Sequence, residues 1–162
     1  MNKVFMALFA IVIFGCNGNA QKKESKTKVE YAVTKTEAEW KEILTPQEYE
    51  VLRKSATERP FSSPLNNVKE PGTFVCAACG NDLFKNEHKF ESGTGWPSFD
   101  RPIKGGVGYG SDTKLGYQRD EIHYADCGGH LGHVFDDGPG ATTGKRYCMN
   151  GVAMKFIPDS KK

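Results

Sequence analysis

Glycine and proline interrupt this chain so often that long regular elements cannot occupy most of it. Eighteen glycines and eight prolines fall among 162 residues, and from Gly72 onward the apolar runs between them are short. Short strands joined by turns tolerate such punctuation, and a helical bundle does not. The expected fold is mainly β, with strands over 73–76, 89–91, 121–125, 131–135, 146–149 and 152–157, and with residues 105–110 as a loop. Two helices precede them. Thr36 can cap one over 37–44, with Trp40, Ile43 and Leu44 on one side. Thr45-Pro46-Gln47-Glu48 starts the second: Thr45 fits the N-cap, Pro46 the first helical position, and Glu48 completes a capping box. Tyr49 and Leu52 give that helix an apolar face, and no helix can continue past Pro60. The expected architecture is two helices packed on an antiparallel sheet system, with a small open barrel as one form of it.

The length suits one domain with a real core. Removing the first fifteen residues removes one basic residue, Lys3, and no acidic one, so 21 basic side chains then face 20 acidic ones. That balance gives no reason to expect nucleic-acid binding. After Lys3 an unbroken apolar stretch covers residues 4–14, too short for a stable membrane span. It ends at Ile13-Phe14-Gly15-Cys16, which resembles a bacterial lipoprotein signal cleaved before a lipidated cysteine. Phe14 departs from the small residue usual there, so secretory cleavage near Ala20 is the rival. Residues 1–15 are therefore expected to be a signal peptide, Cys16 the lipidation site and residues 16–36 a flexible tether reaching on the order of 25 Å. The folded domain is expected over 37–158, with 159–162 as a tail. Such a protein is exported, to the periplasm or to the periplasmic side of a bacterial membrane. Nothing in the sequence calls for an oligomer; a monomer is expected.

Five cysteines stand at 16, 76, 79, 127 and 148. Cys76-Ala77-Ala78-Cys79-Gly80 is a turn that can present two thiolates to one zinc ion. A zinc ribbon needs a second such pair, and Tyr124-Ala125-Asp126-Cys127 supplies only one sulfur. A phenol replaces a thiolate poorly. Three readings stay open: zinc held by Cys76, Cys79 and Cys127 with His123 or Asp126 as substitute ligand, a Cys76–Cys79 disulfide as export permits, or plain buried cysteines. The incomplete ligand set counts against zinc.

Cys148 lies in Arg146-Tyr147-Cys148-Met149-Asn150. Upstream are Gly95-Trp96-Pro97-Ser98-Phe99 and His130-Leu131-Gly132-His133-Val134-Phe135-Asp136-Asp137-Gly138. A thiol, an acid for an oxygen and an aromatic wall are the parts needed to reduce a sulfoxide. With Thr57-Glu58-Arg59-Pro60-Phe61-Ser62, the CxxC-Gly at 76–80 and Ser92-Gly93-Thr94 before Gly95, these strings occur in an order that resembles the methionine sulfoxide reductase B family, over residues 36–158. The resemblance implies reduction of the R epimer of protein-bound methionine sulfoxide, a repair activity against oxidative stress. It also implies two small antiparallel sheets in an open-barrel, Mss4-like arrangement with N-terminal helices. Two departures stand out. Many members carry a resolving cysteine where this chain has Thr94, and zinc-carrying members have two complete CxxC pairs.

In that reading Cys148 is the redox-active nucleophile and needs a thiol pKa lowered by nearby positive charge. On a strand Arg146 and Asn150 share its face, the first as the charge and the second as a hydrogen-bonding partner of substrate or thiolate. His130 and His133 are candidates to protonate the sulfoxide oxygen. They are three apart, so a bend at Gly132 is needed to bring both to one pocket. His133 ranks first as the acid, with Asp137 (or Asp136) as its orienting carboxylate. Trp96 receives the methyl group and Phe135 shares the wall. Cys148 becomes a sulfenic acid, which Cys76, Cys79, Cys127 or an external thioredoxin-like thiol then reduces. No cofactor is needed for this chemistry. Two rivals remain: a noncatalytic zinc-ribbon-like interaction module, and a general thiol-disulfide oxidoreductase built on Cys76 and Cys79. Against the second, Gly80-Asn81-Asp82 reads as a turn where such motifs open a helix.

Overall fold

A computed structural model describes residues 30–161. The expected signal segment and Cys16 lie outside the described residues, as does residue 162. Among the described residues no helix is long and apolar enough to cross a membrane. Of the segment expected as a tether, 30–36 are described. Val33 N–H donates to the Asp126 carbonyl at 2.8 Å, and the Tyr31 ring meets His123 edge-on at 6.2 Å.

Both helices start as their capping residues dictate. In α1 (Glu37–Ile43) Thr36 and Glu39 bond each other's backbone N–H, and in α2 (Pro46–Lys54) Thr45 and Glu48 do the same. Each box satisfies two N–H groups that a helix start otherwise leaves open. Trp40 and Leu44 turn inward, as do Tyr49, Val51 and Leu52 of α2. Ile43, expected on the same side, is 52% exposed. Helix α1 stops at that residue, and the step to Leu44 carries the chain back to the core.

Nine strands follow: β1 (Gly72–Cys76), β2 (Asp82–Lys85), β3 (Lys89–Phe90), β4 (Ser98–Phe99), β5 (Val107–Asp112), β6 (Arg119–Tyr124), β7 (His130–Phe135), β8 (Arg146–Met149) and β9 (Met154–Pro158). They form two antiparallel sheets, ordered β2-β1-β9 and β3-β4-β8-β7-β6-β5, and neither sheet closes into a barrel. The mainly β expectation is met. Aromatic contact joins the sheets: Phe99 of β4 stacks on Phe84 of β2 at 4.2 Å and meets Phe74 of β1 edge-on at 4.9 Å. All three rings are fully buried. Burial of three such rings stabilises the joint by several kcal/mol, about 1.5–3 kcal/mol for each.

Residues 105–110, expected as a loop, contribute most of β5 instead. The glycines that argued for a loop serve close packing. A side chain at Gly108 would start 2.4 Å from the His123 ring of β6, so glycine lets this edge strand pair beneath that imidazole. The last strand starts later than expected, because residues 151–153 form a 3-10 turn. Glu58 fixes that turn: its carboxylate accepts from the Gly151 and Val152 N–H groups at 2.6 and 2.8 Å.

Candidate active site

Strand β7 is the centre of the site. Gly132 pairs with Ile122 and His130 with His123, so β7 holds one more residue than β6 across this interval. Leu131 is the extra residue, and its side chain is fully buried. This bulge performs the task expected of a bend at Gly132. It resets the alternation of a strand, and the His130 and His133 rings come to 5.4 Å centroid separation. Gly132 itself is needed for closeness, since a Cβ there would lie 2.2 Å from the Cys148 carbonyl oxygen on β8.

Cys148 pairs with His133 across β7 and β8. Thr57, Trp96, Arg119, Gly132, His133, Phe135, Cys148 and Asn150 line one cavity of about 120 Å³. Trp96 is only half-buried and donates its indole N–H to the Glu58 carbonyl at 3.1 Å, so it is a fixed wall of the cavity. Phe135 is half-buried beside it and takes the Arg146 guanidinium over its ring at 4.4 Å. His130 does not line the cavity. It stands behind His133 with Nδ1 2.6 Å from Glu121 and with Nε2 buried and unpartnered.

Two expectations about the carboxylate that orients His133 are corrected. Asp137, expected to orient His133, grips Arg146 through two bonds of 2.8 Å, and Asp136 pairs with Lys145. The His133 partner is Asp112 at 2.5 Å, itself bound to Arg119 at 2.7 Å. Burial works against an ionised Asp112, but the bonds from His133 and Arg119 outweigh it and hold the carboxyl far below its ordinary range. Asp112 and Glu121 reach the site because β5, β6 and β7 pair. Their distance along the chain hid them from sequence reasoning.

Asn150, expected to bond substrate or thiolate, has its amide engaged elsewhere. Its Oδ1 accepts from the Glu58 N–H and its Nδ2 donates to the Leu131 carbonyl, both at 2.9 Å. It ties the bulge to the loop that carries Glu58, and Glu58 in turn holds Trp96. Glu58 lay within a quoted string without a role of its own.

The Cys148 thiol was expected to have a lowered pKa. Instead burial pushes it up, although Thr94, Arg146 and Ser98 pull in the opposite direction. Thr94 Oγ1 is 3.7 Å from Sγ and continues through Ser92 to Ser98 in a chain of hydroxyls spaced 2.8 and 2.7 Å. His133 also departs from its ordinary value: burial lowers it, with Asp112 acting the other way. An ionised Asp112 can only accept, so His133 Nε2 carries a proton and Nδ1 is the atom that gains and loses one.

The SelR domain matches residues 44–158. A protein of Methanosarcina barkeri named peptide methionine sulfoxide reductase MsrB is 55% identical over 126 residues, covering 77% of this chain and 88% of the relative. This chain belongs to the SelR family. Relatives of the same name from Leptospira interrogans, 50% identical over 127 residues, and Leifsonia xyli, 45% over 135, cover 78% and 83% of this chain and 96% and 97% of their own lengths. The family that the five strings pointed to is the one found.

Within this SelR chain the second group of cysteines forms a separate corner. Cys76, Cys79 and Cys127 place their sulfurs within 4.8 Å of one another, close enough to bind a metal. All are free thiols, so the Cys76–Cys79 disulfide is not formed. The Ala78 and Cys79 N–H groups donate to Cys76 Sγ at 3.3 and 3.2 Å. Hydrogen bonds from the Cys127 and Cys76 thiols lower the Cys79 pKa. A closed four-ligand zinc site does not fit these residues. Tyr124 is fully buried at this corner and donates its hydroxyl to the Ala153 carbonyl, while burial holds its proton firmly. Neither His123 nor Asp126 belongs to the group; the His123 ring lies against Gly108 and Gly110 of β5.

Proposed function

We propose that this chain reduces the R epimer of methionine sulfoxide in oxidised proteins to methionine, through a sulfenic acid on Cys148. The kinship with reductases of that name supports the reaction class. The observation that carries the residue assignment is one cavity holding the Cys148 sulfur, a carboxylate-bound His133 and the Trp96 and Phe135 rings.

Cys148 sulfur attacks the sulfoxide sulfur while His133 delivers a proton to the oxygen, a weak leaving group unless protonated. The oxygen then passes to Cys148, so methionine leaves with two electrons gained and Cys148 becomes Cys–SOH. Trp96 receives the methyl group. Nucleophile, proton donor and methyl site fixed at three places leave one direction for the carbon that leads to the peptide, which selects one epimer. Two equivalents of an external thiol restore Cys148 and release water. External reduction fits because Thr94 faces the Cys148 sulfur and the other three described cysteines gather among themselves. The apolar start ending at Cys16 supports an exported lipoprotein working on the periplasmic side of a membrane. Membrane fractionation and mass spectrometry of the mature N-terminus test that part; a full-length soluble chain would refute it.

The reaction is tested by one turnover on an R-sulfoxide peptide without reductant, followed by a sulfenic-acid reagent and mapping of the cysteines. A tag on Cys148 with reduced peptide is expected, as is no product from Cys148→Ser. A disulfide from Cys148 to another cysteine refutes direct external recycling. Unreduced peptide with an untouched Cys148 refutes the activity and favours an interaction module.

A further inference from the structure

Phe61 combines properties that a packing role does not explain. Its backbone lies at φ 61°, a left-handed conformation that a bulky L residue adopts only under constraint. The residue is 74% exposed. The constraint comes from the loop before Trp96: the Phe61 N–H donates to the Gly95 carbonyl at 2.7 Å, and the Asn66 side chain donates to the same oxygen at 3.0 Å. Glycine would relieve this conformation, and retained strain of this kind gathers at functional sites.

The Phe61 ring lines a groove of about 230 Å³ that also takes in Phe90, Asn66 and Gly95. Trp96 borders both this groove and the cavity around Cys148, so the two adjoin across one indole. An extended peptide advances about 3.3 Å per residue, and one or two residues carry it past such a ring. We propose that Phe61 forms a flanking subsite, which takes an apolar or aromatic side chain next to the methionine sulfoxide of a polypeptide substrate. The assignment rests on reading the Cys148 cavity as the sulfoxide site. An exposed ring gains from covering its apolar face, and a strained backbone that holds the ring in place lowers the ordering cost of that contact.

The test uses the full chain on acetylated peptides with Leu, Phe, Gly or Asp beside an R-sulfoxide, and on N-acetyl-methionine-(R)-sulfoxide amide, which has no flanking side chain. In wild type the Leu and Phe peptides should show the higher kcat/KM. Phe61→Ala and Phe61→Gly should lower kcat/KM for those two peptides by about tenfold, with the small substrate unchanged within about twofold. Phe61→Gly should unfold at the same temperature as wild type or higher, because glycine adopts this backbone freely. Equal rates on Leu- and Gly-flanked peptides in wild type overturn the subsite, as does an unaltered preference in Phe61→Gly. Equal losses on peptides and small substrate make Phe61 a support of the Cys148 cavity and also overturn it. If wild type reduces no substrate, the reductase reading itself fails and the subsite falls with it.

Discussion

At Cys148 two influences oppose each other. Burial favours the thiol, while Thr94, Arg146 and Ser98 favour the thiolate, and burial prevails. At His133 burial prevails again and favours the neutral ring. In the proposed mechanism the reacting form needs thiolate and imidazolium together, so it is a minor form at neutral pH. Its population stays constant between the two pKa values. Below the His133 value, itself under 6.5, the ring is already charged and further protons only remove thiolate. Above the Cys148 value, itself over 9.0, the thiolate is complete and rising pH only discharges the ring. The expected kcat/KM profile is a plateau across 6.5–9.0 with falling limbs outside it. A single maximum near pH 7 would contradict this pairing. Asp112→Asn should move the acid limb lower, because Asp112 supports the charged ring, and should reduce kcat/KM on the order of tenfold to a hundredfold. Cys148, both histidines and Trp96, which the fold brings to one region, were legible as residue types in short strings. Their carboxylate partners were not, since Asp112 and Glu121 stand 21 and 9 residues before their histidines. Asp137 misled for the opposite reason: it is near His133 in sequence, but its carboxylate holds Arg146 across the β7–β8 turn.

At the scale of elements, features governed by local bonding were the readable ones. Both helix starts follow from threonine and glutamate three residues apart, and the structure contains both reciprocal caps. Strand β5 was missed because its glycines match a loop in composition; only the ring of His123 above it explains them. The segment around Glu58 has no regular structure, yet it fastens three parts of the site. It bonds the turn after β8, the Trp96 indole and the Asn150 amide. Burial raises the Glu58 pKa while the Val152 and Gly151 N–H groups lower it. Glu58→Ala leaves those two N–H groups without their acceptor and should destabilise the fold by about 2–4 kcal/mol, measured by urea unfolding. Glu58→Gln keeps one acceptor oxygen and should lose about half as much. A Glu58→Ala change within about 0.5 kcal/mol would show that water replaces the carboxylate.

For the whole molecule, the Cys148 cavity and the thiol corner are separate designs in one fold. The corner joins β1, the β6–β7 turn and the described N-terminal segment, where Tyr31 packs against Gly128 and Val33 bonds Asp126. Among the described residues three sulfurs meet there without a fourth, and the phenol in the remaining place is bonded to a carbonyl. Purified protein should therefore carry less than one zinc per chain and lose it to a mild chelator, whereas Tyr124→Cys should hold roughly one zinc against the same treatment. Metal analysis of both proteins decides this; firm stoichiometric zinc in wild type would contradict the reading. The missing sulfur was visible in the sequence, but the packing that leaves Tyr124 unable to substitute for it was not.

The extra residue in β7 changes what spacing means on this strand. In a regular strand two histidines three apart look in opposite directions, and two apart look the same way. With Leu131 set outside the pairing count, a spacing of three behaves as a spacing of two. A chain with one codon fewer here, reading His-Gly-His, would keep both imidazoles on one side by simple alternation and would give up a buried leucine instead. Substitutions elsewhere that flatten the bulge while leaving residues 130–133 unchanged would turn His130 away. On this strand, the loss of a letter is milder for the histidine pair than a change of backbone shape.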